Sequence, residues 1–157
     1  MDSRTPSNGA AVVARYWTDP AFAKALIADG SEATRDMGFD IGPMKLIALP
    51  NTPDVHNVVV CTLCSCYPWS VLGLPPAWYK SPPYRSKAVI DPRGVLSDFG
   101  MDLSDDVAVV VHDSTAETRY LVLPIRPDGA DNLGENELAN LVTRNSMIGT
   151  GLPEAPA

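Results

Sequence analysis

The chain has 157 residues, with 12 Lys and Arg against 19 Asp and Glu, a formal net charge of −7. That length fits one domain, and 45% hydrophobic against 20% charged residues supplies enough apolar material for a core, which excludes a wholly disordered chain. The acidic balance argues against nucleic-acid binding, no apolar run reaches the roughly 20 residues that span a bilayer, and the opening MDSRTPSNGAAVV does not read as a signal peptide, so a cytoplasmic chain is expected.

Residues 1–9 are small and polar and read as a flexible arm, and residues 149–157, with Gly149, Gly151, Pro153 and Pro156, read as a tail, leaving 10–148 as the folded domain. Val13, Trp17, Phe22, Ala25 and Leu26 recur at helical spacing; Pro20 divides this segment, Thr18 or Asp19 caps its second piece, and Gly30 stops it. Ser31 is expected to cap a short turn that ends before Gly38. Residues 44–49 and 55–60 read as two strands around the turn Pro50-Asn51-Thr52-Pro53, the second delivering the chain into Cys61. Pro75, Pro76, Pro82 and Pro83 can each open a short helix, and Asp91-Pro92 opens another that ends at Gly100. Residues 107–112 and 118–125 read as a hairpin, and 135–144 as a final helix with Asn145 at its end. The pattern describes an α+β domain whose strands support one protruding cysteine loop.

Cys61-Thr62-Leu63-Cys64-Ser65-Cys66 holds every cysteine of the chain. Thiols this close cannot staple distant segments, which excludes a disulfide framework. A metal held by all three must sit close to the backbone N–H groups of Ser65 and Cys66. Zinc usually takes four side-chain ligands from separated pairs, and only His56 and His112 remain to complete a set. A redox Cys-x-x-Cys lacks a following βαβ pattern here. Inert buried thiols would leave the clustering unexplained. On the residues alone these readings stay open, and His56 and His112 read as satisfied strand residues.

The run Val58-Val59-Val60-Cys61-Thr62-Leu63-Cys64-Ser65-Cys66-Tyr67-Pro68-Trp69 resembles the metal-binding motif of the nitrile hydratase α-subunit family, which includes the γ subunit of thiocyanate hydrolase. The likeness continues through Leu72-Gly73-Leu74-Pro75-Pro76, Trp78-Tyr79-Lys80-Ser81, Tyr84-Arg85, Asp91-Pro92-Arg93 and residues 116–124. Thr62 and Tyr67 resemble the cobalt-type variants. Pro50, Ser70 and Lys87 depart from the family pattern at positions that flank the motif.

The resemblance implies a layered fold of that family and one non-corrin cobalt(III), rather than iron(III), held by the thiolates of Cys61, Cys64 and Cys66 and the backbone amides of Ser65 and Cys66. It implies that Cys64 becomes a sulfinate and Cys66 a sulfenate while Cys61 stays a thiolate, so that Cys64, Ser65 and Cys66 carry the catalysis. Trp69 is assigned to the substrate pocket, and Glu117 and Arg119 to an interface network. The implied activity is hydration of a small-molecule nitrile to its amide, with thiocyanate hydrolysis or a purely metal-carrying subunit as alternatives. No arginine is obvious beside the claw, and the family takes two from a β-type subunit, so that partner is implied, together with an activator that loads cobalt. The early position of Cys61 suggests a third subunit, and among such enzymes the chain is similar to the short α subunits that act on the nucleoside nitrile toyocamycin in antibiotic biosynthesis.

Overall fold

The computed structural model describes residues 6–157 except Cys64. Helix α1 (Ser7–Thr18) is followed by α2 (Pro20–Ala28) and α3 (Gly30–Asp36). Pro20 opens α2, and the Asp19 carboxylate accepts from Phe22 N at 3.1 Å, so Asp19 rather than Thr18 is the cap. Asp29 repeats the device for α3, accepting from Glu32 N at 3.0 Å. Gly30 thus opens a helix instead of ending one. Ser31 is not the cap; its buried Oγ accepts from Leu46 N at 2.8 Å and fastens α3 to the first strand. Gly30 allows that approach, because a Cβ there would lie 2.5 Å from the Leu46 carbonyl oxygen.

The strands are β1 (Lys45–Pro50), β2 (Val55–Val60), β3 (Ala108–Asp113) and β4 (Thr118–Leu123). Neither expected pairing occurs. β1 runs parallel to β4, with Lys45 opposite Thr118 and Pro50 opposite Leu123, and β2 runs parallel to β3, with Val55 opposite Ala108 and Val60 opposite Asp113. At the β1–β2 connection, Asn51 N donates to Leu123 O, and the tight Thr52–Val55 turn carries the chain across to the other pair instead of back along β1. At the β3–β4 connection, Ser114 N donates to Val60 O, prolonging the β2 ladder and leaving β4 to join β1. Parallel strands need long crossovers, and the helical excursion between β2 and β3 supplies one.

That excursion contains α4 (Trp69–Leu72), a 3₁₀ turn (Ala77–Lys80), α5 (Pro82–Ile90) and α6 (Pro92–Asp98). The expected final helix is two short ones, α7 (Glu135–Ala139) and α8 (Arg144–Ile148), because Thr143 accepts from Ser146 N at 3.1 Å and starts a new helix. α1 begins at Ser7, three positions before the expected start, and the segment after Gly149 is tied down, with Thr150 buried and Glu154 N donating to Leu141 O at 2.7 Å. No helix among the described residues is long and apolar enough to cross a membrane.

β2 is covered on both faces, which explains its unbroken apolar run. Val58 packs with Leu96 and Met101, Val59 with Leu49 and Val122 of the other strand pair, and Val60 joins the main core beside Val12, Leu26, Leu46 and Leu121. Each fully buried Val or Leu contributes about 1.5–3 kcal/mol. The main core also contains Cys61, Cys66 and Tyr67, so the ends of the cysteine loop are part of the packing.

A directional hydrogen-bond chain runs beside β2. His56 Nε2 must donate to Gly149 O (2.7 Å), so in the neutral ring Nδ1 accepts from Asn51 Nδ2 (3.3 Å). Asn51 Oδ1 accepts from Asn57 N and Nδ2, and Asn57 Oδ1 accepts from His112 Nε2 at 2.8 Å. Both histidines are therefore satisfied strand residues, as the sequence suggests. Burial lowers the pKa of His56, partly opposed by its bond to Gly149, and burial also lowers that of His112. The folded chain then binds fewer protons than the unfolded chain, so this contribution to stability is complete above the ordinary histidine value of about 6.5 and declines as pH falls through the lowered values. The urea midpoint is expected to drop between about pH 7 and 5, and to drop less in a His56→Gln, His112→Gln double variant.

Candidate metal centre

β2 ends at Val60, and the next residue begins an arch with buried feet and an exposed crown. Cys61 and Cys66 are buried, Thr62 is half-buried, Leu63 is 83% exposed and Ser65 is exposed. Cys64 lies outside the described residues, so the assignments made to it concern residues the structure does not describe.

Four side chains from distant elements brace this arch through its backbone. Asp113, opposite Val60 at the end of β3, accepts from Thr62 N (2.9 Å) and Thr62 Oγ1 (2.6 Å). Arg85 Nη2, from α5, donates to Thr62 O at 2.8 Å. The Tyr79 hydroxyl donates to Cys66 O at 2.7 Å, and Arg119 Nη1, from β4, donates to Tyr67 O at 2.8 Å. The expectation that no arginine stands near the claw is thus corrected: Arg85 and Arg119 both do. Long-range strand pairing and the fold of α5 bring them there, which local spacing does not reveal.

Behind the arch lies an aromatic cluster. Tyr67 and Tyr79 meet edge-on at 5.0 Å, Trp78 packs on Tyr84 at 4.9 Å and on Phe99 at 4.7 Å, and the Tyr84 hydroxyl donates to Val59 O at 2.6 Å. Such ring pairs add about 0.5–1.5 kcal/mol each beyond area burial. Burial pushes the pKa values of Tyr67, Tyr79 and Tyr84 up, and for Tyr79 the neighbouring Cys61 and Cys66 push the same way. These phenols therefore stay neutral.

Trp69, at the start of α4, is 57% exposed, and its backbone N–H donates to Tyr67 O at 2.8 Å, so it stands beside the arch with its ring open to solvent. Arg119 reaches the arch. Glu117 is exposed just before β4, and its carbonyl accepts from Lys45 N of β1 at 2.7 Å rather than from the arch. Asp113 and Tyr79 went unrecognised in the sequence, the first because it falls where a hairpin turn is expected, the second because it reads as packing. The parallel register of β2 and β3 is the signal that would have found Asp113.

The donor set can be tested for its fit to a metal. Sulfur from Cys61 and Cys66, with backbone nitrogen from the exposed crown, is soft and becomes anionic on deprotonation, which suits a thiophilic transition ion and not magnesium or calcium. Both imidazoles are engaged elsewhere, which leaves no four-ligand zinc set of the usual kind among the described residues.

Comparison with known proteins extends this reading. Residues 1–151 match the family described as nitrile hydratase, alpha chain. The low-molecular weight cobalt-containing nitrile hydratase subunit alpha of Rhodococcus rhodochrous is 54% identical over 155 residues, covering 97% of this chain and 74% of that one. The thiocyanate hydrolase subunit gamma of Thiobacillus thioparus is 42% identical, covering 95% of this chain and 66% of that protein. Among solved structures, a double mutant of the Fe-type nitrile hydratase from Comamonas testosteroni Ni1 superimposes with a TM-score of 0.92 at 42% identity, covering 99% of this chain and 77% of that chain.

Proposed function

The chain belongs to the nitrile hydratase α-chain family, and from that premise we propose that it is the metal-bearing subunit of an enzyme that adds water to a nitrile to give the amide. The observation that carries this is the arch itself: Cys61 and Cys66 are buried at its two ends and Leu63 and Ser65 are exposed between them, in the motif where the resemblance puts the metal. Cys61, Cys64, Ser65 and Cys66 are the residues that would hold it. Cobalt is favoured by the 54% identical relative, which is cobalt-containing, and by Thr62 and Tyr67; the Fe-type structural relative shows that the same fold serves iron. When bound, the ion supplies Lewis acidity that polarises the nitrile.

The chain's own residues do the rest. Asp113, Arg85, Tyr79 and Arg119 fix the arch, the exposed Ser65 leaves its crown open to substrate, and Trp69 offers an apolar wall beside it. Leu63 and Trp69 expose apolar surface at the arch, as expected where a β-type partner covers it. Oxidation of Cys64 and Cys66 would place anionic oxygens there, and guanidinium groups from that partner would neutralise them. The nucleoside nitrile toyocamycin is the proposed substrate, on the strength of the sequence resemblance.

The testing experiment is co-expression with a β-type partner and an activator, followed by cobalt analysis, amide assay and peptide mass spectrometry. One cobalt per active site, amide product, and additions of about 32 Da on Cys64 and about 16 Da on Cys66 are expected. Activity with only zinc bound, or with three unmodified thiols, would overturn the reading. The 42% identity to thiocyanate hydrolase supports a second reading, which wins if the complex consumes thiocyanate and leaves nitriles untouched.

A further inference from the structure

We propose that Tyr79 and Arg85 are positioning residues that clamp the cysteine arch at its two ends, so that its backbone at Thr62 and Cys66 is already fixed before any metal arrives. The inference rests on the metal-bearing reading above and adds how its site is prepared.

Tyr79 is fully buried in the 3₁₀ turn, and its hydroxyl donates to Cys66 O at 2.7 Å. Its ring has little freedom, being held between Tyr67 at 5.0 Å and Tyr84 at 5.9 Å. Arg85 is set by the start of α5, where Ser81 caps and Pro82 opens the helix, and its Nη2 reaches Thr62 O at 2.8 Å. The two accepting carbonyls bracket the crown. Between them Leu63 and Ser65 are exposed and have no core to fix them. A solvent-facing segment of this kind samples many backbone conformations unless its ends are held. Without the clamp, ordering the arch would draw on the free energy of metal binding; with it, folding has already done that work.

Cobalt affinity separates this role from simple stabilisation. The full chain, expressed without cobalt and kept reduced, is titrated with Co²⁺ in the presence of the activator and against a chromophoric chelator while the sulfur-to-cobalt charge-transfer absorption is recorded. Far-UV circular dichroism and urea unfolding of the same samples report the fold. Tyr79→Phe, which loses only the hydroxyl, and Arg85→Met are each expected to weaken cobalt binding about tenfold and to change the absorption band, with Arg85→Lys recovering part of the loss. Tyr84→Phe, which removes the phenol bond to Val59 O from the same cluster, is the control: it is expected to lower stability and leave cobalt affinity unchanged. Wild-type affinity and absorption in both Tyr79→Phe and Arg85→Met would overturn the clamp, as would an equal loss in Tyr84→Phe. A wild-type chain that takes up no cobalt even with the activator present would remove the metal-bearing reading itself, and the clamp with it.

Discussion

Cys66→Ala in the assembled complex is expected to lose both its cobalt and its amide-forming activity while remaining folded. The side chain is small and its removal from a 7% exposed site leaves only a slight void, which costs about 1 kcal/mol. The loss at the metal is of another order. Removing an outer-shell partner already costs about 10- to 100-fold in metal affinity or activity, and here a directly assigned sulfur donor disappears. Cys66→Ser is expected to fail as well, because a hydroxyl of nearly the same shape offers a hard oxygen where a soft, thiophilic ion wants sulfur. Metal analysis and an amide assay on purified complexes, with circular dichroism to confirm the fold, check both variants. Full turnover by Cys66→Ala would remove this residue from the site.

The largest loss of stability is expected at a residue remote from the claw. Gly149 ends α8 at φ +100°, a conformation that side chains other than glycine rarely adopt, and a Cβ there would lie 2.1 Å from the Asn57 carbonyl oxygen. Neither problem can be relieved locally. Asn57 belongs to β2, and the Gly149 carbonyl is the acceptor for His56, so any shift of α8 breaks the polar chain that ties the tail to the strand. Gly149→Ala is expected to cost roughly 3–5 kcal/mol, combining the left-handed backbone penalty with the displaced packing. For a domain of this size that corresponds to a fall in Tm of about 10 °C, measurable by calorimetry. Gly38→Ala makes the comparison: it shares the positive φ, at +92°, but a Cβ there meets no atom within 4 Å, so a drop of only about 1–2 kcal/mol is expected.

What could be read in the sequence was what depends on neighbours in the chain. Asp19 before Pro20 announces a capped helix, and Asp91 before Pro92 another, because a short carboxylate and a fixed φ act within three residues. The clustering of the cysteines was equally plain, since all three fall within six residues. Strand pairing was not. β1 and β2 look like neighbours around a turn, yet each finds its partner far along the chain, and the single bonds from Asn51 and Ser114 that direct this carry no local signature. The braces around the arch were hidden for the same reason. Asp113, Tyr79 and Arg85 act on backbone atoms of Thr62 and Cys66, so their role depends on topology rather than on any spacing of residue types.

The bond between Thr62 and Asp113 joins positions 51 residues apart in the sequence, and this separation becomes a delay when the protein is made. A ribosome working at about 5–20 residues per second releases the three thiols some 3–10 s before the carboxylate that braces them. During that interval the cysteines are present without their architecture, reduced, reactive and open to any ion the cell offers. On the metal-bearing reading, loading therefore belongs after β3 has docked beside β2, and slowing translation between these two points would lengthen the time in which the wrong metal or an unwanted oxidation can claim the site.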